Sequence, residues 1–429
     1  MQRIVVAGPG LMGLGIAQVA AAAGVEVRLL GRDAAAGEAA CRRLAGALQR
    51  QVARGRIDGA SAERLLGRIA PVADETELAR CDGAIESVPE DRALKLAVLA
   101  RLEAALPAGA LIATNTSGLP VGGLARALAR PDRFVGLHFF SPVERMKLVE
   151  VVRGEATSDA TLADALAFVR RLGQVPVVVR DGPGFFTSRV FAAYLDEAIA
   201  LVGEGVAPQA VDAAARALGR AVGPLALLDD ISLALNLQQA QQARADGMPP
   251  QRCRPLAEPV LAAMVGAGRK GRRDGGGFYD TAADGTRTPW AGLAALFPPA
   301  GHPPAAEAIG QRLRVAEVME ALRCLEGGVV ASADDADTAS VLGLAWPRAE
   351  GGGVLGWAER CGLPPLVAAA DALAAVLGPR FRPSPWLRER AAAGDGLHRW
   401  RAAPILTPAP APNPPPTSSD SPTPRTSTP

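Results

Sequence analysis

The stretch from Ile4 to Val25 carries no charged residue, follows Arg3, and is interrupted by Gly8, Pro9, Gly10, Gly13 and Gly15. Its length and polarity alone would suit a signal peptide or a membrane span. The interruptions argue against both, since a glycine inside a helix costs about 1 kcal/mol relative to alanine and a proline about 3 kcal/mol. What remains is a β-branched run, Ile4 to Ala7, then a glycine-rich turn, then a helix-forming run from Leu11. No other stretch is long and apolar enough to cross a bilayer.

The same alternation continues. Strand candidates are Ile4 to Ala7, Glu26 to Leu30, Ala84 to Val88, Leu111 to Thr114, Phe134 to His138, Leu148 to Val152 and Val175 to Val179, with helix-spaced apolar residues between them, as in Arg92 to Leu106. Strands separated by helices imply a mostly parallel sheet covered on both faces, the doubly wound α/β class. After the turn at Asp181 to Gly184 the chain becomes Ala- and Leu-rich and helical, with one strand hint near Phe278 and Tyr279.

Two helical units stand in tandem. "EAIALVGEGV" from Glu197 is followed by "LG" at Leu218, and "EALRCLEGGV" from Glu320 by "LG" at Leu342, at nearly the same spacing. The expected organisation is therefore a Rossmann-like domain over 1–180, a first helical domain over 181–283, a Gly/Pro-rich linker over 284–309, a second helical domain over 310–400, and a tail over 401–429. The tail has ten prolines among Ser, Thr and Ala, too little apolar surface to offset ordering entropy, and reads as disordered.

A chain of 429 residues supports such a multi-domain layout. Its net charge of +2 supplies no reason to expect nucleic acid or an anionic membrane as partner. The five cysteines form no CxxC pair and are dispersed, against a zinc site or a disulfide framework and in favour of a reducing cytoplasm.

Gly8, Gly10 and Gly13, with Leu11 and Met12 between them, form GxGxxG between the first strand and the first helix. In that order the glycines permit a tight turn, close backbone approach to a pyrophosphate, and close helix–strand packing, with the phosphates on the helix N-terminus. The motif therefore points to a dinucleotide. An acid normally ends the second strand and binds the adenosine ribose; here Gly31 stands there, followed by Arg32 and Asp33. Asp33 reaching the ribose suits NAD, whereas Arg32 beside a missing acid suits the 2′-phosphate of NADP, so both cofactors stay open.

Of three histidines, His302 falls in the linker and His398 just before the tail, neither placed for a defined geometry. His138 ends "FVGLH" and precedes Phe139 and Phe140, and Glu150 in "KLVEVV" is a partner that an adjacent strand can bring to the ring. A carboxylate on one ring nitrogen leaves the other to take an alcohol proton as the carbon gives up a hydride, which is dehydrogenase chemistry. The other residue-level reading is a satisfied strand-end histidine with an unrelated glutamate. Ser117 in "TNTSG" lacks the GxSxG setting of a nucleophile.

GPGLMGLGIAQ at 8–18, ESVPED at 86–91, NTS at 115–117, HFFSP at 138–142, KLVEVVRG at 147–154 and DGPGFFTSR at 181–189 occur in order. With GRKGRRDGGGFYD at 268–280 and ALRCLEGG at 321–328, the chain resembles the L-3-hydroxyacyl-CoA dehydrogenases. The tandem helical units make it most similar to the dehydrogenase part of the multifunctional fatty-acid oxidation subunit, with the hydratase region expected to be absent because Met1 stands directly before the first strand. The resemblance implies that His138 is the base, Glu150 its orienting acid, and Ser117 a neighbour of substrate and nicotinamide. It also implies that Glu90 and Lys95 line the cofactor. Three positions depart from the family: Gly31 replaces the ribose acid, Ser141 an asparagine after HFF, and Ser188 the asparagine that hydrogen-bonds the reacting centre.

Arg42, Arg43, Arg50, Arg54 and Arg56 gather between Cys41 and Ile57 with no acid, where the family carries a helical extension that contacts CoA. Arginine forks suit phosphate oxygens, so Arg50 and Arg54 are expected to hold CoA; a solvated basic helix face is the competing reading. The expected activity is oxidation of an L-3-hydroxyacyl-CoA to the 3-oxoacyl-CoA with a nicotinamide cofactor, in fatty-acid β-oxidation or related acyl-CoA degradation. An NADP-dependent 3-oxoacyl-CoA reductase and a non-catalytic CoA-ester-binding subunit are the alternatives. Separate enoyl-CoA hydratase and thiolase enzymes are the expected partners, and the chain itself is expected to be a monomer or weak homodimer.

Overall fold

The computed structural model describes residues 1–72, 74–245, 247–248, 253–347 and 352–400. Its first part runs β1 (Arg3–Ala7), α1 (Leu11–Ala22), β2 (Glu26–Leu30), α2 (Ala34–Ala53), α3 (Gly59–Leu66), β3 (Ile69–Pro71), β4 (Gly83–Glu86) and α4 (Arg92–Ala105). It continues through β5 (Leu111–Thr114), α5 (Val121–Ala125), β6 (Phe134–Phe139), β7 (Leu148–Arg153), α6 (Asp159–Arg171) and β8 (Val175–Arg180).

Among the described residues, eight of these strands form one sheet in the order β3-β2-β1-β4-β5-β6-β7-β8. β3 escaped sequence reading because three residues at a sheet edge, ending in proline, show no alternation. The sheet is parallel except that β7 runs antiparallel to β6. Residues 140–147 are too few for a parallel crossover, which needs a dozen or more, so the chain must turn back. Strand alternation divides the core: Ile4 and Val6 face α1, α2 and α6, whereas Val5 and Ala7 face the other side, with α4 and α5.

The second part comprises α7 (Thr187–Gly203), α8 (Pro208–Ala217), α9 (Pro224–Ile231), α10 (Leu233–Ala245) and α11 (Ala257–Gly266), followed by the hairpin β9 (Tyr279–Thr281) and β10 (Arg287–Pro289) and by α12 (Leu293–Leu296). Then come α13 (Ala306–Glu326), α14 (Ala333–Gly343), α15 (Val354–Cys361), α16 (Leu363–Leu377) and α17 (Pro385–Ala393). The stretch read as a linker, 284–309, thus carries β10, α12 and the first turn of α13. Its glycines and prolines serve a hairpin and helix ends rather than an open tether. The 401–429 tail lies outside the described residues.

The sequence echo has a geometric counterpart. Asp212 accepts from Leu225 N and Ala226 N at the start of α9, and Asp337 accepts from Leu355 N and Gly356 N at the start of α15. In each unit a glycine, Gly223 or Gly353, leaves room for that aspartate, and an added Cβ would come within 2.5 Å of it. Tyr279 donates its hydroxyl to Asp212 at 2.8 Å, and His398 places Nε2 3.0 Å from Asp337. His398, expected to lack a defined place, is therefore held, with Nδ1 2.5 Å from Glu359. Its partners lie on α14 and α15, and only tertiary packing brings them to the chain end.

The second unit does not stand apart. Its Leu322, Leu325, Val330 and Leu344 share one core with Leu148, Val152, Phe185 and Phe186. Arg180 N donates to Val329 O at 2.8 Å, extending contact to the edge strand β8.

Candidate active site

The antiparallel turn of the chain sets His138 on β6 directly opposite Glu150 on β7. His138 Nδ1 lies 2.7 Å from Glu150 Oε2. The ring is nearly buried, with Phe140 and Phe185 at centroid distances of 4.5 and 6.0 Å. Glu150, fully buried, is a charge that the interior tolerates only when its oxygens are partnered. Thr187 supplies two bonds, from N to Oε1 at 2.8 Å and from Oγ1 to Oε2 at 2.7 Å, and Phe186 N adds a third at 3.2 Å. The start of α7 thus caps onto the carboxylate that orients the histidine. Within DGPGFFTSR no sequence signal sets Thr187 apart; only its bonds to Glu150 on β7 reveal the role.

Ser117 and Ser188 line a cavity of about 570 Å³ between the sheet's carboxyl end and the first helical unit. Glu90, Arg189, Phe191, Leu235 and Glu320 share that wall, whereas His138, Glu150, Lys95, Arg50 and Arg54 do not. Glu90 anchors the Ser117 loop by accepting from Thr116 Oγ1 at 2.5 Å, Ser117 N at 3.2 Å and Gly118 N at 3.0 Å. Burial alone would raise its carboxyl. The Lys95 charge and the bonds from Thr116 and Gly118 outweigh this and hold it below the ordinary carboxylate range.

Lys95 is wholly buried, with Nζ 2.9 Å from Glu86 Oε1 and 3.3 Å from Glu90 Oε2. Glu86, also wholly buried, further accepts from Val88 N and Thr114 Oγ1 at 2.6 Å each. This cluster ties the ends of β4 and β5 together. Asn115 joins the dyad to that region, accepting from Phe139 N at 2.8 Å and donating to Ser87 Oγ at 3.2 Å.

At the glycine loop the structure fits a pyrophosphate. Gly8 has φ +101°, and a Cβ there would sit 2.5 Å from Ser87 O; a Cβ on Gly13 would sit 2.0 Å from Gly8 O. Gly10, by contrast, faces open space, and α1 begins with no side-chain cap, so its first N–H groups are left for a ligand. Leu11 is exposed, Met12 packs on the sheet, and Arg43 fixes the loop by donating to Pro9 O at 2.9 Å.

The residues after Gly31 are engaged with one another and with the start of α2. Asp33 caps α2, accepting from Ala36 N at 2.7 Å, and pairs with Arg32 at 3.2 Å. Arg32 is 90% exposed. Ser141 is exposed and precedes Pro142 through a cis peptide. Arg50 and Arg54 are exposed on α2 and just beyond it.

A nucleotide-binding sheet, a buried His–Glu pair and a helical unit closing a cavity define a nicotinamide-dependent oxidoreductase. Residues 3–182 match the model of the 3-hydroxyacyl-CoA dehydrogenase NAD binding domain, and residues 184–281 that of the 3-hydroxyacyl-CoA dehydrogenase C-terminal domain. The chain belongs to the 3-hydroxyacyl-CoA dehydrogenase family and carries that family's NAD binding domain. It is similar to 3-hydroxybutyryl-CoA dehydrogenase from Escherichia coli K12, at 29% identity over 91% of this chain and 98% of that one, with a TM-score of 0.77. It is also similar to Mycobacterium tuberculosis FadB2, at 35% identity over 66% and 99% of the two chains, with a TM-score of 0.62. The dehydrogenase part of multifunctional enzyme 1 from Caenorhabditis elegans shares the fold, at 22% identity over 90% and 89%, with a TM-score of 0.64.

Proposed function

We propose that His138 is the general base and Glu150 its orienting acid in the oxidation of an L-3-hydroxyacyl-CoA to the 3-oxoacyl-CoA. The carrying observation is the 2.7 Å contact of His138 Nδ1 with a carboxylate that has three further donors from the start of α7. Glu150 fixes the tautomer and offsets the imidazolium charge, leaving Nε2 to take the hydroxyl proton. When bound, NAD accepts the hydride that leaves the same carbon, so a C=O replaces H–C–O–H. Gly8, Gly10, Leu11, Met12 and Gly13 are the residues to hold its phosphates. Ser117 and Ser188 offer hydroxyls to the substrate oxygen from the cavity wall, Ser188 with one hydrogen bond where the family amide has a longer reach.

The test is oxidation and reduction of short and long acyl-CoA substrates, with acetoacetyl-CoA and NADH as the first pair. His138→Gln and Glu150→Gln should each lower kcat about 100-fold or more with little change in KM. Wild-type turnover in either variant removes the assignment.

The engagement of Asp33 as a helix cap favours one second reading, use of NADP as a 3-oxoacyl-CoA reductase through Arg32, and the same assay with NADPH decides it. The chemistry of substrate and product implies a hydratase that adds water to an enoyl-CoA before this step and a thiolase that cleaves the product after it. Packing of α13 against α7 within one chain supports a monomer or weak homodimer, and five dispersed cysteines with no CxxC pair support a cytoplasmic location.

A further inference from the structure

Two reciprocal ion pairs join the helical units where α7 crosses α13. Arg189 donates Nε and Nη2 to Glu320 Oε1 at 2.9 and 2.7 Å, and Arg312 donates Nε to Glu197 Oε2 at 2.7 Å. Along the chain Arg189 stands to Arg312 as Glu197 stands to Glu320, so the pairs are two halves of a pseudo-twofold contact. Only one half touches the site. Arg189 and Glu320 are in the cavity wall; Arg312 and Glu197 are not.

We propose that Glu320, delivered by the second helical unit, is a positioning residue of the active site that acts through Arg189. The inference rests on His138 and Glu150 being the base and its orienting acid. Arg189 closes the first turn of α7, its N–H bonding Gly184 O at 3.1 Å, and it directly follows Thr187, which holds Glu150, and Ser188, which lines the cavity.

That turn needs holding. It is entered through Phe185 at φ +47°, a left-handed conformation that is strained for a bulky residue and persists only where the surroundings impose it. Neither Arg189 nor Glu320 exceeds 13% side-chain exposure, so the pair is poorly screened, and Arg323 at 3.3 Å fixes the second Glu320 oxygen. Without Glu320, the guanidinium can turn into the cavity beside Ser188, and the α7 start keeps its apolar contact with the second unit but loses this ion pair to it. The dyad then keeps its groups but loses their register.

The symmetry supplies the control. In the full chain, Glu320→Gln and Glu197→Gln each remove one carboxylate charge from the same helix contact. We expect Glu320→Gln to lower kcat for acetoacetyl-CoA reduction about 10-fold or more with a smaller change in KM, as small misplacements of reacting groups do. Glu197→Gln, which loses pairs to both Arg312 and Arg380, should lower Tm at least as much yet leave kcat within about two-fold. Equal kcat losses in the two variants, an unchanged kcat in Glu320→Gln, or a rise in KM alone would overturn the proposal. Should Glu320→Gln not fold, Glu320→Asp makes the same comparison by keeping the charge and withdrawing it by one methylene, and an unaltered kcat there is equally fatal. Failure of the dyad reading is separate, since it shows in His138→Gln with Glu320 intact.

Discussion

His398 joins the last described segment to two carboxylates of the second unit, Asp337 and Glu359, and its loss has a calculable, pH-dependent cost. Burial pushes the imidazole pKa down, but the hydrogen bonds and charges of Glu359 and Asp337 outweigh this, so the folded-state pKa is raised above the ordinary 6.5. Asp334, 3.9 Å from Nε2, adds to the same side. A protonated ring donates to both carboxylates, and each charge-assisted bond is worth about 1.5–3 kcal/mol when well shielded. The ring is 30% exposed, and solvent screening brings the pair to about 1–2 kcal/mol. Because this unit shares its core with the sheet, it unfolds with the larger body, and the cost is about 1–3 °C in the midpoint of the transition.

The sign follows from linkage. A raised folded-state pKa makes the contribution complete below about pH 6.5 and removes it as pH rises through the folded-state value. Thermal unfolding of wild type and His398→Gln, followed by circular dichroism between about pH 6 and pH 9, should show a midpoint difference largest at the acid end and shrinking towards the alkaline end. Taking the difference cancels the carboxylates' own titration. A difference that is constant or grows with pH would refute the argument.

Arg32→Ala should raise KM for NADPH while leaving KM for NADH unchanged if the exposed guanidinium serves a 2′-phosphate; equal effects on both cofactors would place it outside the site. Gly31→Asp is expected to cost stability as well as alter cofactor choice, since its Cβ would lie 2.8 Å from Asp33 O and 2.9 Å from Gly37 N; a wild-type Tm would contradict this. Arg50→Ala with Arg54→Ala should raise KM for acyl-CoA several-fold and spare truncated substrates lacking the nucleotide, by removing phosphate contacts. Cleavage near Gly301 should leave an N-terminal piece that dimerises or aggregates through the α7 face now covered by α13, and sedimentation showing a monomer would exclude that.

The glycine loop, the sheet class and the His138–Glu150 pair were legible along the chain because each rests on local order: a turn that only glycine permits, a period of burial, and two residues twelve apart on adjacent strands. Even the repeat was visible, as two similar helix ends. The roles of Thr187, Lys95, Asp33 and His398 were not, for different reasons. Thr187 and Asp33 are ordinary residues near helix starts until one is seen bonded to a buried carboxylate and the other accepting from Ala36 N. Lys95 was expected beside the cofactor by resemblance, and its burial between Glu86 and Glu90 is a fact of packing. The pairing of Arg189 with Glu320 spans 131 positions, and no periodicity carries information across that distance. Residue pattern determines which faces are apolar and where the backbone can bend. Which charged groups then meet is decided only when separate helical units and the sheet compete to bury those faces, because a buried charge must find its partner wherever the packing leaves one.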